Sequence, residues 1–284
     1  MHEEVELWLR SLTRSKSQRT VLTYQHAVLN FLKHVGKPPL ELSPSDVFLY
    51  VDNSPHGISS ILTHLSAIKH FYTFLQRRGI FSKEKYSELR DAIEEVREEL
   101  SPSKPLRKPK ALSKQEISKI LEAVVNTRYE KVYTIFLSSG VRLSEYASLK
   151  KQNFKKQSGT YWLHLPAEST KGRKERSVPI ILSDKEQTYK LCEHLDVWLE
   201  NFEENLSVNP GSLQVFTNRL SKKLGLGFSI HSFRHTYITN LINMGFPAEV
   251  VKELAGHSNI KTTIDIYYRF SEERVRAIVE NFLS

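Results

Sequence analysis

Apolar positions recur at helical spacing through the first hundred residues. Val5, Trp8, Leu9 and Leu12 form one stripe, and Tyr24, Ala27, Val28, Phe31, Leu32 and Val35 form a stronger one. Gly36 followed by Pro38 and Pro39 stops that second helix. After Ser54-Pro55-His56-Gly57, the positions Ile58, Ile61, Leu62, Leu65, Ile68, Tyr72 and Leu75 predict a long helix closed by Gly79. A further stripe runs through Tyr86, Leu89, Ile93, Val96 and Leu100. The pattern predicts four helices with short connections, a small all-α domain over residues 1–100.

The pattern breaks at SPSKPLRKPK, which holds three prolines, four basic residues and one apolar side chain. Each proline removes an amide donor and fixes its own φ, so residues 101–111 are predicted as a linker. Cationic and semi-extended, such a linker either stays in water or follows a phosphate backbone. A second domain, 112–284, opens with a capping box at Ser113 and Glu116, followed by Ile117, Ile120, Leu121 and Val124. Another helix covers Val132 to Leu137 and ends near Gly140, and Arg142 begins a third. Tyr161–Leu165 and Ser177–Ile180 read as strands joined by PAESTKGRKER, with the turn at Lys171-Gly172-Arg173-Lys174. Ser183–Asn205 reads as one acidic amphipathic helix, and Leu213, Phe216, Leu220 and Leu224 mark another. Phe233, Tyr237, Leu241 and Met244 give a helix ended by Gly245. Pro247 then begins a helix that Gly256 ends. Ser258 caps one more, with Ile260, Ile264, Tyr267 and Tyr268 on one side, and Val275, Ile278, Val279 and Phe282 mark a terminal amphipathic helix. The fold class is mainly α with a small β-sheet.

Composition adds a partner class. Lys and Arg outnumber Asp and Glu by 41 to 32, a net charge of +9, which favours an anionic partner such as nucleic acid. The single cysteine excludes a Cys-based metal site and fits a reducing compartment. The acidic MHEEVELWLR lacks a long apolar run, and no stretch reaches the ~20 apolar residues of a membrane span, so a cytoplasmic protein is expected.

Chemistry concentrates between Ile230 and Tyr268. His231 and Arg234 are three apart and face one way on a helix. His257 follows Gly256, and Tyr267 and Tyr268 come after it. Taken singly, each histidine or tyrosine is more often a packed side chain than a catalyst, and Arg142 or Lys171 more often a solvated charge. Taken together, they suit phosphoryl transfer. Two arginines fork onto the non-bridging oxygens of a phosphate and stabilise its growing charge. A tyrosine can attack phosphorus to form an ester, and a lysine or histidine can protonate the departing 5′ oxygen. With no Asp/Glu cluster of metal-binding type, the arginines would do the charge work a metal does elsewhere.

GVRLSE at Gly140–Glu145, TKGRKERSVP at Thr170–Pro179, HSFRHTYIT at His231–Thr239 and LAGHSNIKTTIDIY at Leu254–Tyr267 resemble the motifs of the tyrosine site-specific recombinases, the family of Xer proteins and of phage and plasmid integrases. TVLTYQHAVLNFL and LSAIKHFYTFLQRRG extend the resemblance into the first half. It implies an N-terminal helical, SAM-like core-binding domain and an α+β catalytic domain. It implies that Arg142 and Arg234 hold the scissile phosphate, with Lys171 as general acid. His231 would assist proton transfer, His257 would bond a phosphate oxygen, and Glu145 would orient the site. The tyrosine would take a 3′ phosphate. No metal, cofactor or ATP is implied. The expected partners are double-stranded DNA with inverted half-sites and other copies of this chain, in dimers and tetramers assembled through the helix at 271–283. Many Xer-like members place the tyrosine nine residues after the GHS histidine, where this chain has Ile266. Others place it at ten in TTxDxY, which TTIDIY fits, so Tyr267 is favoured and Tyr268 is the alternate. Both follow Ile264 on one helical face, so periodicity leaves the two open. Two rival readings are a type IB topoisomerase and a catalytically inactive DNA-binding relative.

Overall fold

The computed structural model describes residues 2–102, 111–170 and 174–257. The chain divides into two compact units, Met1–Arg107 and Lys108–Ser284. The division falls in the proline-rich stretch, of which residues 103–110 lie outside the described residues.

The first unit is all helix: α1 (Glu3–Ser15), α2 (Gln18–Val35), α3 (Pro44–Asp52), α4 (Ile58–Arg77) and α5 (Lys83–Leu100). The stripes read from sequence are the buried faces, with Val5, Trp8, Phe31, Leu65, Ile68, Tyr72 and Ile93 almost without exposure. Gly36 ends α2 at φ +70, a left-handed cap suited to glycine. The apolar pattern predicted four helices and the unit has five. It missed α3, whose core contribution from apolar side chains is Val47 and Tyr50 alone, too few for a stripe. Its start is instead polar. Asp46 accepts from the Ser43 amide at 2.9 Å and the Ser43 hydroxyl at 2.8 Å, and pairs with Lys37 at 2.7 Å.

The second unit is helical around a three-stranded sheet. Its elements are α6 (Lys114–Glu122), α7 (Arg128–Ser139), α8 (Leu143–Tyr146), β1 (Phe154–Gln157), β2 (Thr160–Leu165), β3 (Arg176–Pro179), α9 (Lys185–Trp198), α10 (Phe202–Asn205), α11 (Pro210–Leu224), α12 (Ile230–Asn243) and α13 (Ala248–Ala255). The sheet runs β1-β2-β3, antiparallel throughout, with Leu163 opposite both Phe154 and Val178. Strand β1 was not predicted. Its sequence FKKQ buries only Phe154, so it carries no alternation to read. The single helix expected over 183–205 is two, α9 and α10, with the Asn205 side-chain Nδ2 donating to the Trp198 carbonyl at 3.1 Å across the break. Pro247 caps α13 from just outside it, and Met244 is a largely exposed end residue instead of core. The helices expected after Ser258, including 271–283, lie outside the described residues.

Helix α12 is buried on almost every side, which explains its weak periodicity. Phe233 packs on Tyr133 of α7 with ring centres 4.8 Å apart. Tyr237 lies so close to Gly140 that a Cβ there would stand 2.3 Å from its ring, and Gly140 also adopts φ +60. Glycine is therefore required where α7 turns toward Arg142. Among the described residues no helix is long and apolar enough to cross a membrane.

In the first unit Trp8 is fully buried, packs edge-on to Phe71 at 5.2 Å, and its indole N–H donates to His70 Nδ1 at 3.0 Å. Truncation leaves a large cavity. Trp8→Ala is expected to lower unfolding free energy by about 3–5 kcal/mol, read as a drop in the urea midpoint, whereas the surface change Leu22→Ala is expected to leave it nearly unchanged.

Candidate functional site

The site forms where the α7–α8 turn, the start of β3, the first turns of α12 and the end of α13 meet. Glu145 is at its base, with no solvent exposure. As the N3 residue of α8 it reaches back, and its Oε2 accepts from the Arg142 amide at 2.7 Å. Its Oε1 accepts from Arg142 Nη1 at 2.7 Å. A second guanidinium closes on the same carboxylate, Arg176 donating through Nη1 to Oε1 at 3.0 Å and through Nη2 to Oε2 at 2.8 Å. Burial alone would raise the Glu145 pKa. The Arg176 hydrogen bonds and charge, then the Arg142 contacts, outweigh it and bring the pKa down to about 2.

The two arginines expected to hold phosphate are brought together. Arg142 Nη2 donates to the Gly256 carbonyl at 2.7 Å. Arg234, only 5% exposed, donates through Nη1 to the Gly140 carbonyl at 2.6 Å and through Nη2 to the Ala255 carbonyl. Main-chain carbonyls thus fix both planes. Burial, then the charge of Arg142, push the Arg234 pKa down to about 9, so it stays a cation at neutral pH. Among the described residues no carboxylate forms an ion pair with Arg234. A buried guanidinium oriented by neutral carbonyls keeps its positive charge and so suits an anionic ligand.

Imidazoles border it. His231 stands in the first turn of α12 with its surface open to solvent, and its pKa is lowered by burial of the ring, then by Arg234 and Arg142. His257 follows the left-handed Gly256, and burial, then Arg234 and Arg142, bring its pKa down to about 4. A groove of about 680 Å³ runs beside it, between the start of β3 and the end of α13, with Lys174, Arg176 and Lys252 on its walls.

The structure therefore gathers Arg142, Glu145, His231, Arg234 and His257. Lys171, Tyr267 and Tyr268 lie outside the described residues. Two contributors had not been singled out. Arg176 was readable as an anomaly, since it is two residues before the buried Val178 and so shares its inward strand face. His235 is one turn after His231 on α12. Its pKa falls to about 4 through burial, then His231 and Arg234, and its Nδ1 is buried with no hydrogen-bond partner among the described residues. Among the described residues no group of three or more His, Cys, Asp or Glu is placed to hold a metal.

The second unit thus collects three guanidiniums and three imidazoles, a set suited to binding an anion, and comparison with known proteins gives the family. Residues 110–274 match the Phage integrase family, and residues 5–79 match the phage integrase N-terminal SAM-like domain. The chain belongs to the phage integrase family, the tyrosine recombinases. Tyrosine recombinase XerA of Pyrococcus horikoshii is 25% identical over 276 residues, covering 93% of this chain and 88% of that protein. Tyrosine recombinase XerD of Yersinia pestis is 27% identical over 299 residues, covering 96% and 92%. A probable integrase/recombinase of Aquifex aeolicus is 28% identical over 319 residues, covering 99% of both chains. The fold is shared with a lambda integrase dimer bound to a core site (TM-score 0.70, 12% identity, 94% of this chain and 95% of that one). It is also shared with the Tn1549 transposon integrase in complex with circular intermediate DNA (TM-score 0.67, 15% identity, 98% and 99%).

The depressed imidazole pKa values set a pH dependence. His235 and His257 ionise near 4 when folded and near 6.5 when unfolded, so the unfolded chain takes up their protons first as pH falls. Their neutral burial is compatible with full stability above about pH 6.5, and stability is lost between there and about pH 4. Glu145 acts in a lower window, contributing above its ordinary value near 4.5 and fading toward about 2. The thermal midpoint is expected to fall steadily from pH 7 to pH 4.5. His235→Gln and His257→Gln should each flatten that slope, as scanning calorimetry at matched ionic strength would register.

Proposed function

We propose that this chain is a site-specific recombinase that cuts and rejoins duplex DNA through a 3′-phosphotyrosine intermediate and a Holliday junction. The observation that supports this most is the buried Arg234, which has no carboxylate partner among the described residues, beside Arg142, both anchored by main-chain carbonyls. A phosphodiester would supply the negative charge that Arg234 is placed to receive, with Arg142 beside it. Its negative charge grows as phosphorus becomes five-coordinate, and fixed guanidiniums stabilise that state without reorganising.

In the cleavage step the Tyr267 oxygen bonds to phosphorus and gives up its proton, His231 assisting its transfer. The bond from phosphorus to the 5′ oxygen breaks, and Lys171 protonates that oxygen as it leaves. His257, neutral at physiological pH, donates a hydrogen bond to a non-bridging oxygen. In the rejoining step the 5′ hydroxyl of the partner strand attacks the phosphotyrosine and the tyrosine recovers its proton. The ester conserves the bond energy, so no nucleotide cofactor enters. Two subunits would occupy inverted half-sites, and two such dimers would exchange strands, held together through residues 271–283. The charge of +9 is consistent with affinity dominated by phosphate contacts and steeply salt-dependent. A cytoplasmic location follows from this reading.

The test uses a half-site duplex selected from a randomised library by binding, then nicked beside the scissile phosphate so that cleavage is trapped. A covalent protein–DNA adduct is expected from the wild type, abolished in Tyr267→Phe and kept in Tyr268→Phe. The opposite pattern moves the nucleophile to Tyr268, and a wild type that forms no adduct refutes the enzyme reading in favour of an inactive DNA-binding relative. Recombination between two sites, rather than relaxation of a supercoiled plasmid alone, separates the recombinase from a topoisomerase. A chain ending at Ser271 is expected to keep half-site cleavage and lose recombination; intact recombination would remove the assembly role given to 271–283.

A further inference from the structure

We infer that Arg176 is the positioning residue that keeps Arg142 aimed and electrostatically available, acting through Glu145 and the turn after α13. The inference rests on Arg142 being a phosphate clamp, as proposed above.

Three of the five N–H donors of the Arg176 guanidinium are committed within the protein. Nη1 and Nη2 fork onto Glu145 at 3.0 and 2.8 Å, and Nε donates to the Leu254 carbonyl at 3.1 Å. Its side chain is 11% exposed, against 19% for Arg142. It is thus a cation built to hold other groups, its Nη1–Nη2 fork taken by Glu145.

What it holds decides what Arg142 can do. Glu145 alone would form a closed pair with Arg142 and cancel its charge. With two guanidiniums sharing one carboxylate, the trio carries one net positive charge, and the carboxylate orients Arg142 without neutralising it. The second effect is mechanical. Arg176 grips the Leu254 carbonyl, two residues before the Gly256 carbonyl that receives Arg142 Nη2. Its guanidinium lies against Gly256 so closely that a Cβ there would stand 2.8 Å from Nη1. Both anchors of the Arg142 guanidinium therefore touch Arg176. A lysine would keep the charge and lose the planar, three-way grip.

The test measures single-turnover adduct formation on the nicked half-site, with half-site affinity by fluorescence anisotropy and the thermal midpoint, all in the full-length chain. Arg176→Met and Arg176→Lys are both expected to slow adduct formation about a hundredfold, the scale of an ångström of misplacement at a reacting centre. Affinity should stay within about threefold, because most phosphate contacts are untouched. Combined with Arg142→Lys, neither is expected to slow the reaction much beyond Arg142→Lys alone, since both act at one group. A merely structural Arg176 would instead multiply the two losses. That multiplication overturns the inference, as does a near wild-type rate in Arg176→Lys or a rate loss accounted for by weakened binding. If Arg176→Met fails to fold, Arg176→Lys carries the same comparison. Failure of the underlying reading shows separately, as a wild type without adduct or an Arg142→Lys variant at full rate.

Discussion

A carboxylate shut off from water must be paired, and Glu145 is paired twice. Removing an ion from solvent costs several kcal/mol after relaxation, and the cost is recovered only with good geometry and full hydrogen bonding. Four donors meet its two oxygens, from the Arg142 amide, the Arg142 guanidinium and both arms of Arg176. Those donors come from the start of α8 and from β3, so the buried charge ties the sheet to the α7–α8 turn in addition to the apolar core they share. The carboxylate organises the Arg142 and Arg176 charges from the base of the site.

The surroundings hold those charges in a particular state. The guanidinium planes of Arg142 and Arg234 are set by the carbonyls of Gly140, Ala255 and Gly256, dipoles that orient a cation without cancelling it. Burial, reinforced by the same positive field, lowers the pKa of the imidazoles of His231, His235 and His257. Cations and neutral rings therefore coexist in one small volume, the arginines supplying fixed charge and the rings supplying hydrogen bonds and proton transfer. A protonated ring in the same place would add repulsion where the site is already short of negative charge.

Much of this was legible in the sequence, unevenly. The stripes of α1, α2, α4 and α5 fall on the core because long amphipathic helices repeat the same signal over several turns. Arg142, His231, Arg234 and His257 were readable as a set because their motifs keep order and spacing, and the fold brings them together. Strand β1 and helix α3 were not readable, since FKKQ buries one side chain and α3 is defined by a polar cap. Arg176 and His235 were inside motifs already noticed, yet their roles depend on partners far along the chain. An arginine bonded to Glu145, thirty-one residues earlier, and to Leu254, seventy-eight residues later, has no local signature. Only the inward strand position hinted at it.

The last turn of α13 has a wider meaning for how such a site fails. Within three consecutive residues, the carbonyls of Leu254, Ala255 and Gly256 receive Arg176, Arg234 and Arg142 in that order, and His257 comes next. Three cations share one short piece of backbone as their common anchor. Displacing that piece cannot loosen one of them alone. Fraying of α13 from its C-terminal end would remove one anchor from all three cations at once, leaving Arg142 and Arg176 on Glu145 and Arg234 on the Gly140 carbonyl.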